Sequence, residues 1–92
     1  MQVIWEDDAR NDFDFAIAFL EEQSSSAAQR IGGRILEAVA LLERFPEIAQ
    51  PSRHRGLRQL VVARTPYLVI YRVHDDRVEI RAVIHAMQKR RK

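Results

Sequence analysis

The chain of 92 residues is predicted to adopt an α+β fold in the order β-α-α-β-β-β, a helical hairpin packed on a mainly antiparallel sheet. Three observations carry that prediction. Residues 9–20 and 31–42 repeat apolar side chains at helical spacing. Residues 57–84 break into three runs of β-branched, aromatic and aliphatic side chains separated by turn signals. A fourth, shorter run of the same kind, Gln2-Val-Ile-Trp5, opens the chain.

After Trp5 come Glu6, Asp7 and Asp8, placing negative charge where the unpaired N–H groups of a helix start favour it. Ala9, Phe13, Ala16, Ile17 and Leu20 form the stripe of the first helix; Phe15 and Phe19 widen it, so that more than one side is gripped. The polar stretch Glu21–Ser26 ends it. Ser26-Ala-Ala-Gln29 matches a capping box and predicts the start of a second helix. Its stripe is Ile31, Ile35, Ala38, Val39 and Leu42, and it closes at Phe45-Pro46, because proline disfavours helix in the residue before it. Gly32-Gly33 lies inside this helix, where each glycine costs about 1 kcal/mol relative to alanine. Close packing on the first helix would account for the pair. Residues 46–55 read as a loop. Leu57–Ala63, the central Tyr67–Val73 and Val78–Ile84 read as strands, joined by turns at Thr65-Pro66 and His74–Arg77. Residues 1–88 are expected to form one domain, and 89–92 a basic C-terminal tail.

Composition excludes several classes. The chain has no cysteine, hence no disulfide framework and no thiolate chemistry. No signal peptide is visible and no apolar run approaches the roughly 20 residues that span a bilayer, so the expected location is the cytoplasm, away from membranes. There is no glycine-rich phosphate loop, no Ser-His-Asp signature and no metal-ligand spacing; neither a cofactor nor a metal is expected. The net charge of +2 hides a split: residues 1–50 carry a net −6 and residues 51–92 a net +8. A basic sheet half on an acidic helical half points to an anionic partner, or to one with its own charge pattern.

Strand alternation places Tyr67, Val69, Tyr71 and Val73 on one face and Leu68, Ile70, Arg72 and His74 on the other. In the last strand it places Val78, Ile80, Ala82 and Ile84 toward the helices, leaving Glu79, Arg81, Val83 and His85 opposite. The open face would then gather Arg72, His74, Glu79, Arg81 and His85, with Arg58 and Arg64 if the neighbouring register agrees. Arg81 with His85 has two readings: an arginine that steadies a phosphate beside a histidine that moves a proton, or a strand-end histidine beside a solvated Arg81–Glu79 pair. His74 beside Asp75-Asp76 offers a poor metal site, since three adjacent turn residues rarely converge on one ion. Tyr67 and Tyr71 fit the core better than a stacking role. Arg53, His54, Arg55 and Arg58 fit either a nucleic-acid contact or pairing with the acidic helices. Asp7, Asp8, Asp12 and Asp14 read as a solvated helix start.

These residues resemble a known family. Trp5 with Ala9 and Asp12, the helix end Leu42-x-x-Phe45-Pro46, Gly56-Leu57-Arg58, Pro66-Tyr67-x-Val69-Ile70-Tyr71-Arg72-Val73 and the closing Ile80-x-x-Val83-Ile84-His85 are similar, in order and spacing, to the RelE/ParE superfamily. Those are toxins of type II toxin–antitoxin modules, also called plasmid-stabilisation proteins, and the likeness spans nearly the whole chain. The resemblance implies a cognate antitoxin whose acidic or amphipathic C-terminal segment orders as it wraps the toxin. It implies one of two activities on one fold. ParE-like members inhibit DNA gyrase and have no chemistry of their own. RelE-like members enter the ribosome and cleave mRNA; here that would use Arg81 and His85 as catalytic residues. Where several ribonuclease members carry an arginine, three residues before the equivalent of Tyr71, this chain has Leu68, and its lysines are confined to Lys89 and Lys92. The resemblance therefore leans to the ParE-like branch. Partner contact would fall on the basic set Arg58, Arg64, Arg72, Arg81, Lys89, Arg90, Arg91 and Lys92.

Overall fold

A computed structural model describes residues 1–89, the side chains of Gln88 and Lys89 excepted. The elements are β1 (Gln2–Trp5), α1 (Asp7–Gln23), α2 (Ser25–Leu41), β2 (Gln50–Pro51), β3 (Arg58–Val61), β4 (Tyr67–Val73), β5 (Arg77–His85) and a short α3 (Ala86–Lys89). The expected α+β hairpin-on-sheet architecture is present, with two additions. A two-residue strand, β2, lies in the predicted loop, and the last strand continues into α3. Of the expected tail, Lys89 closes α3, and Arg90, Arg91 and Lys92 lie outside the described residues.

The strands run in the order β1-β5-β4-β3-β2. All neighbours are antiparallel except β1 and β5, which pair in parallel from Gln2↔Arg77 to Trp5↔Ile80. That pairing requires a crossover between them, supplied by the helices and the meander. One face of the sheet is sealed by α1 and α2. Tyr71, Ile35, Leu42, Ile80, Val62, Val69 and Val78 are its largest fully buried side chains. Trp5 meets Phe13 edge-to-face, with ring centroids 5.8 Å apart, and pins the N-terminal half of α1 over β1.

The glycine pair divides in its purpose. A Cβ on Gly32 would stand 2.8 Å from Ile17 Cδ1, so this glycine lets α1 and α2 approach as anticipated. Around Gly33 a Cβ would meet nothing within 4 Å, and helix contact does not explain it. The helix start also differs from the capping-box reading. Ser24, extended at φ −172° and ψ 124°, is the N-cap, and its hydroxyl accepts from the Ala27 N–H at 3.2 Å. At the other end α2 finishes at Leu41, and the next residues tighten into turns before Pro46.

The largest departure lies in β5. Tyr71 pairs with Ile80 but Ile70 pairs with Ala82, so Arg81 is an extra residue, a β-bulge. Because side chains alternate with period two, one extra residue inverts every face beyond it. Val78 and Ile80 face the core as expected; after the bulge it is Val83 and His85 that face the helices, opposite Val69 and Tyr67, while Ala82 and Ile84 turn to the open face.

Candidate functional site

The bulge separates Arg81 from His85, which unbroken alternation would place on one face. Arg81 reaches the Glu79 carboxylate on the open face, with Nη1 3.4 Å from Oε1. His85 stands on the helix face, edge-to-face on Tyr67 with ring centroids 5.3 Å apart, and its Nδ1 accepts from the Met87 N–H at 3.1 Å. A guanidinium and an imidazole on opposite sides of a sheet do not act on one phosphate. Burial raises the Tyr67 hydroxyl above its ordinary pKa, which disfavours its ionisation.

Other expected members of the basic face also scatter. Arg58 pairs with Tyr71 and so lies on the helix side, where Nη1 donates to the Ala49 carbonyl at 2.7 Å. Arg64 sits exposed in the β3–β4 turn, in the left-handed region at φ 65°. Arg72 remains on the open face. The centre of that face is apolar, with Leu68 beside Ile84 and Ile70 beside Ala82. It is not the continuous basic sheet face that unbroken alternation predicted.

Two arrangements replace it. The first is a groove of about 250 Å³ between α1 and the ends of β4 and β5, lined by Asp12, Phe15, Phe19, Tyr67, Val83 and His85 among others. Phe15 is 76% exposed and Phe19 53%, so the wider helix stripe is presented outward, not gripped by the fold. Asp12 is structural here, a correction to the solvated reading. β1 leaves β5 after the Glu6 N–H donates to the Ile80 carbonyl at 3.0 Å, and Asp12 Oδ2 then accepts from the Val83 N–H at 3.0 Å. This side chain satisfies the ladder donor that β1 does not reach.

The second arrangement centres on Glu79. Its Oε1 lies 3.2 Å from His74 Nε2, and its carboxyl faces that of Glu6. Two facing carboxyls hydrogen-bond only when one of them carries a proton. That bond and the neighbouring negative charge hold Glu6 above the ordinary glutamate range, whereas the Glu6 bond, His74 and Arg81 hold Glu79 below it. Glu6 binds its proton more tightly folded than unfolded. Its contribution is therefore complete below the unfolded value of 4.5 and is lost as pH rises through the raised folded value. Glu79 works in the opposite sense, contributing above its unfolded value and losing that contribution on acidification. Glu6→Gln, whose amide donates at every pH, is expected to have a higher urea midpoint than the wild type at about pH 7 and an equal one at about pH 4. A constant offset between the two profiles would contradict the shared proton. Among the described residues no group of three or more His, Cys, Asp or Glu side chains is placed to hold a metal ion, and no helix is long and apolar enough to cross a membrane.

The fold is similar to that of a chain of the chromosomal ParDE TA system from P. aeruginosa, with a TM-score of 0.83 at 23% identity, covering 92% of this chain and 95% of that one. It is also similar to a chain of the RelBE2 toxin–antitoxin complex from Mycobacterium tuberculosis, with a TM-score of 0.65 at 24% identity, covering 91% and 95%. In sequence, Y4kP of Sinorhizobium fredii (strain NBRC 101917 / NGR234) is 40% identical over 72 residues, which are 78% of this chain and 74% of that protein. Residues 3–90 match the family described as the ParE toxin of the type II toxin–antitoxin system parDE. The chain belongs to the ParE family of type II toxin–antitoxin toxins.

Proposed function

We propose that this toxin arrests growth by binding DNA gyrase and blocking its activity, as a protein ligand without chemistry of its own, and that a cognate antitoxin neutralises it. The observation that carries the reading is the separation of Arg81 from His85. Arg81 is engaged by Glu79 on the open face, and His85 is turned against Tyr67 on the helix face. The ribosome-dependent cleavage of mRNA, the alternative activity on this fold, would need both at one phosphate. Leu68 at the central-strand position, and lysines confined to positions 89 and 92, support the same choice.

The antitoxin contact is assigned to the helix-side groove. Phe15 and Phe19 are one helical turn apart on α1 and both stand proud of the surface, offering an apolar ridge to an amphipathic segment. In the free toxin these rings face water.

Arg81→Ala and His85→Ala are each expected to inhibit gyrase supercoiling within about twofold of the wild type. A true acid–base residue of a nuclease would instead cost about 100-fold or more in transcript cleavage. Gyrase inhibition retained in both variants supports the proposal. Ribosome-dependent cleavage by the wild type, lost in either variant, would replace it with the ribonuclease reading.

A further inference from the structure

The turn between β2 and β3 is built from its own backbone. The Ser52 N–H donates to the Leu57 carbonyl at 2.8 Å, the Leu57 N–H to the His54 carbonyl at 3.1 Å, and the Ser52 hydroxyl accepts from the His54 N–H at 3.2 Å. These bonds hold Arg53, His54 and Arg55 outward, all three exposed. The turn closes through Gly56 at φ 81°. That glycine does a second thing. A Cβ there would stand 2.5 Å from Arg72 Nη1 and 3.3 Å from its Cζ, so the missing side chain leaves room for the Arg72 guanidinium to lie against the turn.

Among the described residues no carboxylate compensates this cluster. The side chains of Arg53, Arg55 and Arg72 make no hydrogen bond or ion pair among the described residues, although Arg72 is half-buried and Glu79 is its partner across the strands. Glu79 is committed to His74, Arg81 and Glu6, and Asp76 to Arg77. Glu47 and Asp75 line the cleft beside Gly56 without pairing with any of the three arginines. The expected alternative, neutralisation of this segment by the acidic helices, is therefore not what the fold does. A half-buried arginine whose guanidinium has no anion among the described residues, beside two exposed arginines, is arranged for an external ligand, and guanidinium forks match the paired oxygens of a phosphate.

We infer that the 52–57 turn, with Arg72 seated on Gly56, is a contact for the phosphodiester backbone of a nucleic acid, held by Arg53, Arg55 and Arg72. The contact lies at the Val73 end of the sheet, whereas the Phe15–Phe19 groove lies at the Tyr67 end, so one toxin can hold both ligands. The choice of DNA as the source of the phosphates rests on the gyrase reading, since gyrase works on DNA; the phosphate contact itself does not.

The test uses the full chain with a fluorescent duplex DNA of about 20 base pairs and a single-stranded RNA of matching length, following anisotropy from roughly 50 to 200 mM salt. Affinity should fall with salt, by a log–log slope of about 0.9 for each phosphate neutralised on duplex DNA and about 0.7 on a single strand. Arg53→Ala/Arg55→Ala, which alters only exposed side chains, should flatten that slope by about 2, and Arg72→Gln by about 1, with circular dichroism unchanged. Tighter binding of the duplex assigns the phosphates to DNA; tighter binding of the RNA keeps the contact and assigns them to RNA. Slopes unchanged in both variants would place the contact elsewhere on the chain and overturn the proposal. Binding of a polyglutamate peptide with no binding of either nucleic acid would also overturn it, in favour of an acidic protein segment. Because gyrase is absent from this assay, its outcome is independent of whether the toxin blocks supercoiling.

Discussion

Tyr71→Ala is expected to destabilise the chain by about 3–5 kcal/mol, the range for removing a large buried aromatic ring. Tyr71 is 0% exposed in the middle of β4, at the point where the bulge forms in β5. Its ring closes the core above Ile80, and its hydroxyl donates to the Pro46 carbonyl at 2.8 Å, tying the end of the helical hairpin to the sheet. Burial raises the pKa of this hydroxyl, so it remains a protonated donor through the physiological range. A chain of 92 residues has a total stability of roughly 5–14 kcal/mol, so the loss is a large share of the whole. Tyr71→Phe separates the two contributions. It keeps the ring and loses only the hydrogen bond, for an expected cost of about 1–2 kcal/mol. Urea unfolding of both variants, followed by circular dichroism, measures the difference. Equal losses would mean that the ring contributes nothing beyond its hydroxyl.

Phe15→Asp/Phe19→Asp is expected to weaken antitoxin binding by at least about 100-fold, since buried aromatic anchors commonly carry 2 kcal/mol or more each at an interface. The effect should fall on binding alone. Both rings are mainly in solvent in the free toxin, so the unfolding midpoint should move little. The groove they flank is lined underneath by Tyr67, Val83 and His85, which the substitutions leave in place. Calorimetric titration with the cognate antitoxin, wild type against the double variant, gives the ratio. An unchanged affinity would move the antitoxin to another surface.

Much of this molecule can be read from its residues, and what cannot has identifiable causes. β1 and β4 begin and end where the aromatic and β-branched runs do, because both strands are short, regular and bounded by strong turn signals. The core face of β4 follows for the same reason. β5 is different. Its composition announces a strand, but nothing in Glu79-Ile-Arg-Ala-Val83 announces that Arg81 will be left out of the pairing, and that single residue moves His85 to the helix face. Arg58 lies on the helix side because register, which depends on turn geometry as well as composition, sets it opposite Tyr71. β2 contains a proline and pairs over only two residues, an edge strand too short to carry a periodic signal. The N-cap is Ser24 and not Ser26; the three serines 24–26 are chemically alike, and only backbone conformation distinguishes them. For the candidate surfaces, Phe15 and Phe19 were visible as apolar residues outside the main stripe, but the reading that they were gripped by the fold was the reverse of their exposure. Arg53 and Arg55 were visible as a cluster; the room that Gly56 makes for Arg72 became apparent only in three dimensions.

Action of this ParE-family toxin on gyrase, as proposed, is measured by a supercoiling assay with relaxed plasmid, ATP and gyrase from the same source, titrated with the purified toxin. The expected result is inhibition that rises with toxin concentration, is reversed by the antitoxin and is retained in the His85→Ala variant. Full supercoiling at toxin concentrations well above that of the enzyme would contradict it.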